Sequence, residues 1–266
     1  MNKFLLLFIF LIISCKTGKL TVIADINSGL EEASAIELVK NSDLLWTIED
    51  AGNKNNLYGL DLSGHIVKDN DITNAKNEDW EDLTSDEYGN IYIGDFGNNN
   101  KKRKKFTIYK VSNIENIGDK TDAEIINFTL PKDVKSKDFE AFFLLDNYFY
   151  IFSKENSTSI LLKVINEAGN HVAELVTDFN LEGKHHKITS AAISPDEDVV
   201  VLLNHDKLWK LSNFKPDHFF KGNVEALEFG HDSQKEGICF KNDSIVYITD
   251  ERNKSEGGNI YTFKIK

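Results

Sequence analysis

Residues 80–100 read WEDLTSDEYGNIYIGDFGNNN, and this stretch decides the fold. Acidic residues open it, Leu83 starts a short strand, Tyr88-Gly89-Asn90 supplies a turn, and Ile91-Tyr92-Ile93 alternates as a second strand. Asp95-Phe96-Gly97-Asn98 closes it. The stretch is therefore a β-hairpin with carboxylates at both open ends. The frame recurs, since Asp50-Ala51-Gly52-Asn53 closes an earlier hairpin made of 34–38 and 44–48. Third strands follow at 57–60 and 106–111, and fourth strands at 65–72 and 124–130. Four strands per unit is the pattern of a propeller blade.

Working outward, a third unit runs through 139–142, 148–152, 160–164 and 171–179, and a fourth through 190–193, 199–203, 207–211 and 219–229. The fifth unit, 236–240, 245–248 and 260–265, stops after three strands. Taking Ser34, Glu81, Glu140, Ala191 and Glu236 as equivalent, the units repeat at 47, 59, 51 and 45 residues. The expected fold is an all-β propeller of five four-stranded blades, with six remaining open. The isolated strand at 20–26 has no hairpin partner nearby and is available to complete the fifth blade. Pairing it with 260–265 would close the ring and remove the exposed edge between first and last units.

The N-terminus carries an address. Lys3 precedes an apolar run of ten residues, 4–13, too short for a comfortable membrane span. It reads as a signal peptide over 1–14. Ile12-Ile13-Ser14-Cys15 follows and resembles the lipobox of bacterial lipoproteins, which implies cleavage before Cys15 and acylation of its thiol, palmitate among the chains carried. Residues 15–19 are then a short anchored linker and 20–266 a single propeller domain. The expected location is the cell envelope, facing the periplasm or the exterior, held to the membrane through Cys15. A monomer is expected.

Composition limits the partners. The chain has 43 acidic against 31 basic side chains, and loss of the leader removes Lys3 and no acid. Arginine occurs only at Arg103 and Arg252. Nucleic acid is excluded as a partner, because that affinity comes largely from neutralising phosphates. The run from Lys101 to Lys105 is a local exception that suits either a solvated loop or contact with an anionic group. With Cys15 lipidated, Cys239 has no disulfide partner and reads as a buried thiol.

The segments Glu81-Asp82-Leu83 and 89–99 resemble NHL-type repeats and the gluconolactonase group. The alternation of Ser34-Ala35-Ile36, Trp80-Glu81-Asp82-Leu83 and Lys235-Glu236-Gly237-Ile238 is also similar to SdiA-regulated and phytase-like esterase propellers. The sequence departs from these families at Asp82 and Ala141, where theirs carries glycine. The resemblance implies a ligand site on the ring axis and, for the gluconolactonase group, a central metal.

The residue entering strand one and the residue leaving strand two share one mouth of the channel. Asp50, Glu81, Asp95, Glu140, Lys154, Glu236 and Asp250 are thereby candidates for a ligand-binding mouth, strongly negative except for Lys154. Glu81, Asp95, Glu236 and Asp250 are the candidate ligands of a calcium-type ion, by resemblance and because hard cations want several carboxylate oxygens. The same acids equally suit hydrogen bonds to amides of neighbouring blades, and Lys154 suits an ion pair with Glu140. His186 and His205 flank the fourth unit's hairpin and are the candidates for a catalytic base. No nucleophile elbow, phosphate loop or His-Glu-x-x-His motif is present. Two functions therefore remain: a surface-tethered module that binds a small molecule or a protein, and a metal-dependent hydrolase of a lactone, ester or phosphoester.

Overall fold

The computed structural model describes residues 17–181, 186–254 and 256–266. The signal segment and Cys15 lie outside these. Five sheets form the five blades of a propeller. In the second blade Trp80–Ser85, Ile91–Asp95, Lys105–Val111 and Glu124–Thr129 follow one another outward from the axis. The hairpin turn forms because Asp86 accepts hydrogen bonds from the amides of Tyr88 and Asn90 while Gly89 supplies a φ of 84°. The third blade is Phe139–Leu145, Tyr148–Ser153, Ser159–Ile165 and Glu174–Phe179. The fourth is Ser190–Ile193, Val199–Leu203, Lys207–Ser212 and Asn223–Glu228. In the first blade the innermost segment, 33–37, meets 45–49 through isolated bridges at Ala33–Glu49 and Glu37–Trp46, with the Ser34 amide donating to Ile48 O and the Thr47 hydroxyl to Ala35 O between them.

Ring closure is as the sequence implies. Thr21–Asp25 pairs antiparallel with Asn259–Lys264, with Val22 opposite Tyr261 and Asp25 opposite Asn259. Arg252 fastens the junction by bonding both the Asp25 carboxylate and the Ile26 carbonyl. Two excursions escape the repeat pattern. Lys120–Thr121 adds in parallel to Ile66–Ile72 of the first blade, and Gly169–Val172 adds in parallel to Glu124–Thr129 of the second. The second and third units thus each overlap the outer edge of the blade before them.

Five apolar clusters fill the five seams between blades. Phe106, Phe128, Phe139, Phe142 and Phe149 pack together between the second and third blades, each fully buried. A buried phenylalanine of this kind contributes about 2–3 kcal/mol. Cys239, raised well above its ordinary value by burial, lies in the seam between the fifth and first blades.

One frame assignment is corrected. Ala191 pairs with Leu202 one step inside the strand, whereas Thr189 occupies the position of Ser34. The Thr189 amide donates to Leu203 O as that of Ser34 does to Ile48 O. Its hydroxyl donates to Lys235 O, as that of Ser34 does to Trp80 O.

On the axis sits Asp82, with no exposure to solvent. Its Oδ1 accepts from Ser190 Oγ at 2.8 Å and Leu83 N at 3.0 Å, and its Oδ2 from Phe142 N at 3.1 Å and Ala191 N at 3.2 Å. Ser190 Oγ in turn accepts from Ile238 N at 3.1 Å. One carboxylate thus ties the inner strands of four blades and closes the axis between the two mouths.

Candidate functional site: the carboxylate mouth

Three of the inner strands carry a β-bulge at their first turn, with register shifts between Trp80 and Asp82, between Phe139 and Ala141, and between Lys235 and Gly237. A bulge inserts one unpaired residue and re-aims its side chain. The inserted residues are Glu81, Glu140 and Glu236, which is why these three carboxylates gather at one mouth. Lys154 joins them, its Nζ 3.0 Å from Glu140 Oε2. His205 Nε2 lies 3.4 Å from Glu236 Oε1.

The floor of this mouth is made by Asp50, Asp79 and Glu81, each offering an oxygen within 4.8 Å of the others. They come from two segments, Asp50 after the second strand of the first blade and Asp79 and Glu81 at the entry to the second. Gly97 passes directly behind them, and a Cβ placed there would meet Glu81 Oε1 at 1.9 Å and the Asp79 carboxyl carbon at 2.5 Å. The conformation of the 95–98 turn therefore depends on glycine for space at this point. Glu251 completes the wall, half-buried beside Glu236, Asp50 and Glu32.

Burial among like charges raises these groups together. Glu81 is pushed well above its ordinary range, first by desolvation and then by Glu140. Desolvation lifts Glu140 to about 8, against the pull of Lys154 and of a hydrogen bond from Glu81. For Glu81 and Glu140 alike, burial is the first cause of the rise. Glu251 rises to about 8, Asp79 to about 6, and Asp50 also moves up, in each case chiefly through burial. Burial lowers Lys154, but Glu140, Glu236 and Glu81 more than offset this and hold its ammonium charged. Clustered, strongly shifted groups in one concavity mark a candidate functional site.

Not every residue singled out from the sequence arrives there. Asp95 is bound by Arg103 at 2.8 Å and by the Asp79 amide at 3.2 Å. Asp250, with no exposure, accepts from Asn259 N at 2.8 Å and Tyr261 Oη at 2.7 Å. Asp250 is spent on fastening strand two to the segment that follows, and Asp95 on fastening it both to Arg103 in the following segment and to the Asp79 amide before the first strand. The structure thus gathers Asp50, Asp79 and Glu81, not the set Glu81, Asp95, Glu236 and Asp250. His186 Nε2 contacts Asn156 O at 2.9 Å in a loop of the third blade, away from Glu236, so of the two histidines only His205 reaches the mouth. Of the basic run, Lys101 pairs with Glu155, and Arg103 folds back onto Asp95 and the Gly97 carbonyl. Asp79 and Glu251 escaped sequence reasoning because each lies one residue outside a strand. The acidic run 78–82 was the available signal for the first.

No family model matches the sequence, and no curated protein matches it. Similarity appears at the level of solved structures. The PQQ-bound aldose sugar dehydrogenase of Streptomyces coelicolor superposes with a TM-score of 0.55 at 9% identity, over 93% of this chain and 98% of that one. A chain of a nidogen/laminin complex superposes with a TM-score of 0.50 at 10% identity, over 83% of this chain and 73% of that one. These likenesses show the propeller fold of the chain.

Proposed function

We propose that this protein is a lipid-anchored propeller of the cell envelope that binds its ligand at the carboxylate mouth through a divalent cation of the calcium type. The observation that carries the reading is the convergence of Asp50, Asp79 and Glu81 within 4.8 Å. Hard cations take several oxygen ligands, and three carboxylates that raise one another's pKa are relieved by a positive ion. Glu140, Glu236 and Glu251 form the wall, and Lys154 adds a positive group to it. Because burial raises Asp79 to about 6 and lifts Glu81 well above its ordinary value, cation binding releases protons and tightens as pH rises.

Calorimetric titration of the mature chain with calcium tests this. Binding is expected at pH 8 and to weaken at least tenfold at pH 6. Gly97→Ala, whose methyl group displaces the Glu81 and Asp79 carboxylates, is expected to weaken it at least tenfold at pH 8. No binding at millimolar calcium, or equal binding by the variant, overturns the reading. A second reading, hydrolysis of a lactone, ester or phosphoester, is favoured by His205, which stands against Glu236 at the same mouth where it could accept a proton from water. Chelator-sensitive turnover of such substrates, lost in His205→Gln, distinguishes it from binding alone.

The anchor is a separate proposal and rests on residues 12–15 of the sequence. Intact-mass measurement of the protein from membranes is expected to show a chain beginning at an acylated Cys15. Cys15→Ala is expected to lose that mass and to leave the membrane fraction. An unmodified Cys15 on a processed chain excludes the lipoprotein reading.

A further inference from the structure

The opposite end of the axis differs in shape and chemistry. There the hairpin turns of the blades surround a cavity of about 880 Å³, reached by side chains of all five blades. Asp82 separates it from the carboxylate mouth. The size lies within the range of pockets that take up whole small molecules. Its walls combine apolar side chains, among them Leu38, Leu144, Ala191 and Phe240, with one inner carboxylate, Glu37. Glu37 is fixed in place by Ser85, whose hydroxyl donates to its Oε1 at 2.6 Å, and by backbone bonds to Trp46 in both directions. The lining carries five carboxylates against two lysines, Lys40 and Lys241. Tyr88, 78% exposed, stands at the rim as an uncovered aromatic face.

We propose that this cavity is a second binding site, for a small amphipathic organic cation whose ammonium group pairs with Glu37 and whose apolar body lies against Leu38, Leu144, Ala191 and Phe240. The excess of carboxylates repels anions, and the apolar wall distinguishes an alkyl or aryl amine from a bare metal ion. Burial lifts Glu37 to about 7 despite its bond to Ser85, and among the described residues neither Lys40 nor Lys241 pairs with it, so an ammonium partner supplies a counter-charge at this carboxylate. The assignment is independent of the cation reading at the carboxylate mouth.

The probes are hexylamine and phenethylamine, with hexanol and hexanoate as neutral and anionic controls, followed by ligand-observed NMR at pH 8 in the presence of calcium. Both amines are expected to bind, hexanoate not to bind, and hexanol to bind at least tenfold more weakly than hexylamine. Glu37→Gln keeps an acceptor for Ser85 and is expected to weaken amine binding at least tenfold. Leu144→Lys, which places a competing ammonium group on the wall, is expected to do the same, and melting curves of both variants show whether they fold. Gly97→Ala at the other mouth is expected to leave amine binding unchanged. Absence of amine binding, equal binding of hexanol, or loss of binding in Gly97→Ala but not in folded Glu37→Gln or Leu144→Lys overturns the proposal.

Discussion

In chelator the protein is expected to melt about 10 °C lower at pH 8 than at pH 5, and millimolar calcium is expected to restore most of the difference at pH 8 and little of it at pH 5. The sign follows from the mouth. Asp50, Asp79, Glu81, Glu140 and Glu251 all have folded-state pKa values above their ordinary ones. The native chain therefore binds more protons than the unfolded chain from about pH 4.5 to about pH 8, and stability falls as pH rises through that window. Asp79, Asp50 and Glu251 are partly exposed, so solvent screening reduces their share, and Lys154 offsets part of the Glu140 shift. What remains is on the order of 3 kcal/mol, which for a chain of this size corresponds to the stated shift. Two groups act elsewhere on the scale. His231, lowered by burial and by Lys235, makes stability fall as pH drops below its ordinary range. Lys235, lowered to about 8 by burial, makes stability rise above pH 8. A melting temperature that is flat between pH 5 and pH 8, or indifferent to calcium at pH 8, would mean that the mouth acids are neutralised from within.

Replacing Asp82 by alanine is expected to cost about 4 kcal/mol in denaturant unfolding, and by asparagine about 2 kcal/mol. Alanine leaves the amides of Phe142 and Ala191 and the hydroxyl of Ser190 without their acceptor at a point that water does not reach. It also opens a void on the axis. Asparagine keeps one acceptor oxygen but turns an amide toward donors on the other side. Burial pushes the Asp82 carboxyl well above its ordinary value while its four donors pull it down, so the group is held by contacts that serve the charged form best. A loss below about 1 kcal/mol in Asp82→Ala would show that the inner strands hold together without it.

The fold was legible because its signals are local. Hairpin alternation, the turn at 88–90 and the missing strand of the fifth unit each have a direct cause in sequence, and the structure has all three. The site was legible only in part. Glu81, Glu140 and Glu236 were found by their place before each inner strand, but a bulge, which strand periodicity does not announce, is what turns them to the mouth. Ala191 was taken for Thr189 because a slip of two residues preserves which face each side chain occupies, so alternation cannot detect it. Asp95 and Asp250 were placed at the channel from strand direction alone. Their partners, Arg103 and the pair Asn259 and Tyr261, lie in the following segment, and nothing in spacing reveals that commitment. Asp82 looked like the replacement of a family's glycine, and its reach to three other blades exists only once the ring has formed.

The closing strand also sets a timetable. Thr21–Asp25 lies near the beginning of the chain, and its partner Asn259–Lys264 near the end. The earliest strand to be made is therefore the last to be placed. Val22 and Ile23, 43% and 38% exposed even in the finished ring, must wait unpaired until almost the whole sequence has been delivered. Contacts between such distant segments slow folding, because the loop they close must be ordered before they reward it. Once made, and until the leading strand docks, Asn259–Lys264 is an open edge able to accept the leading strand of another molecule. The rate at which the last strand captures the first thus determines whether a newly made chain finishes as one ring or exchanges strands with its neighbour.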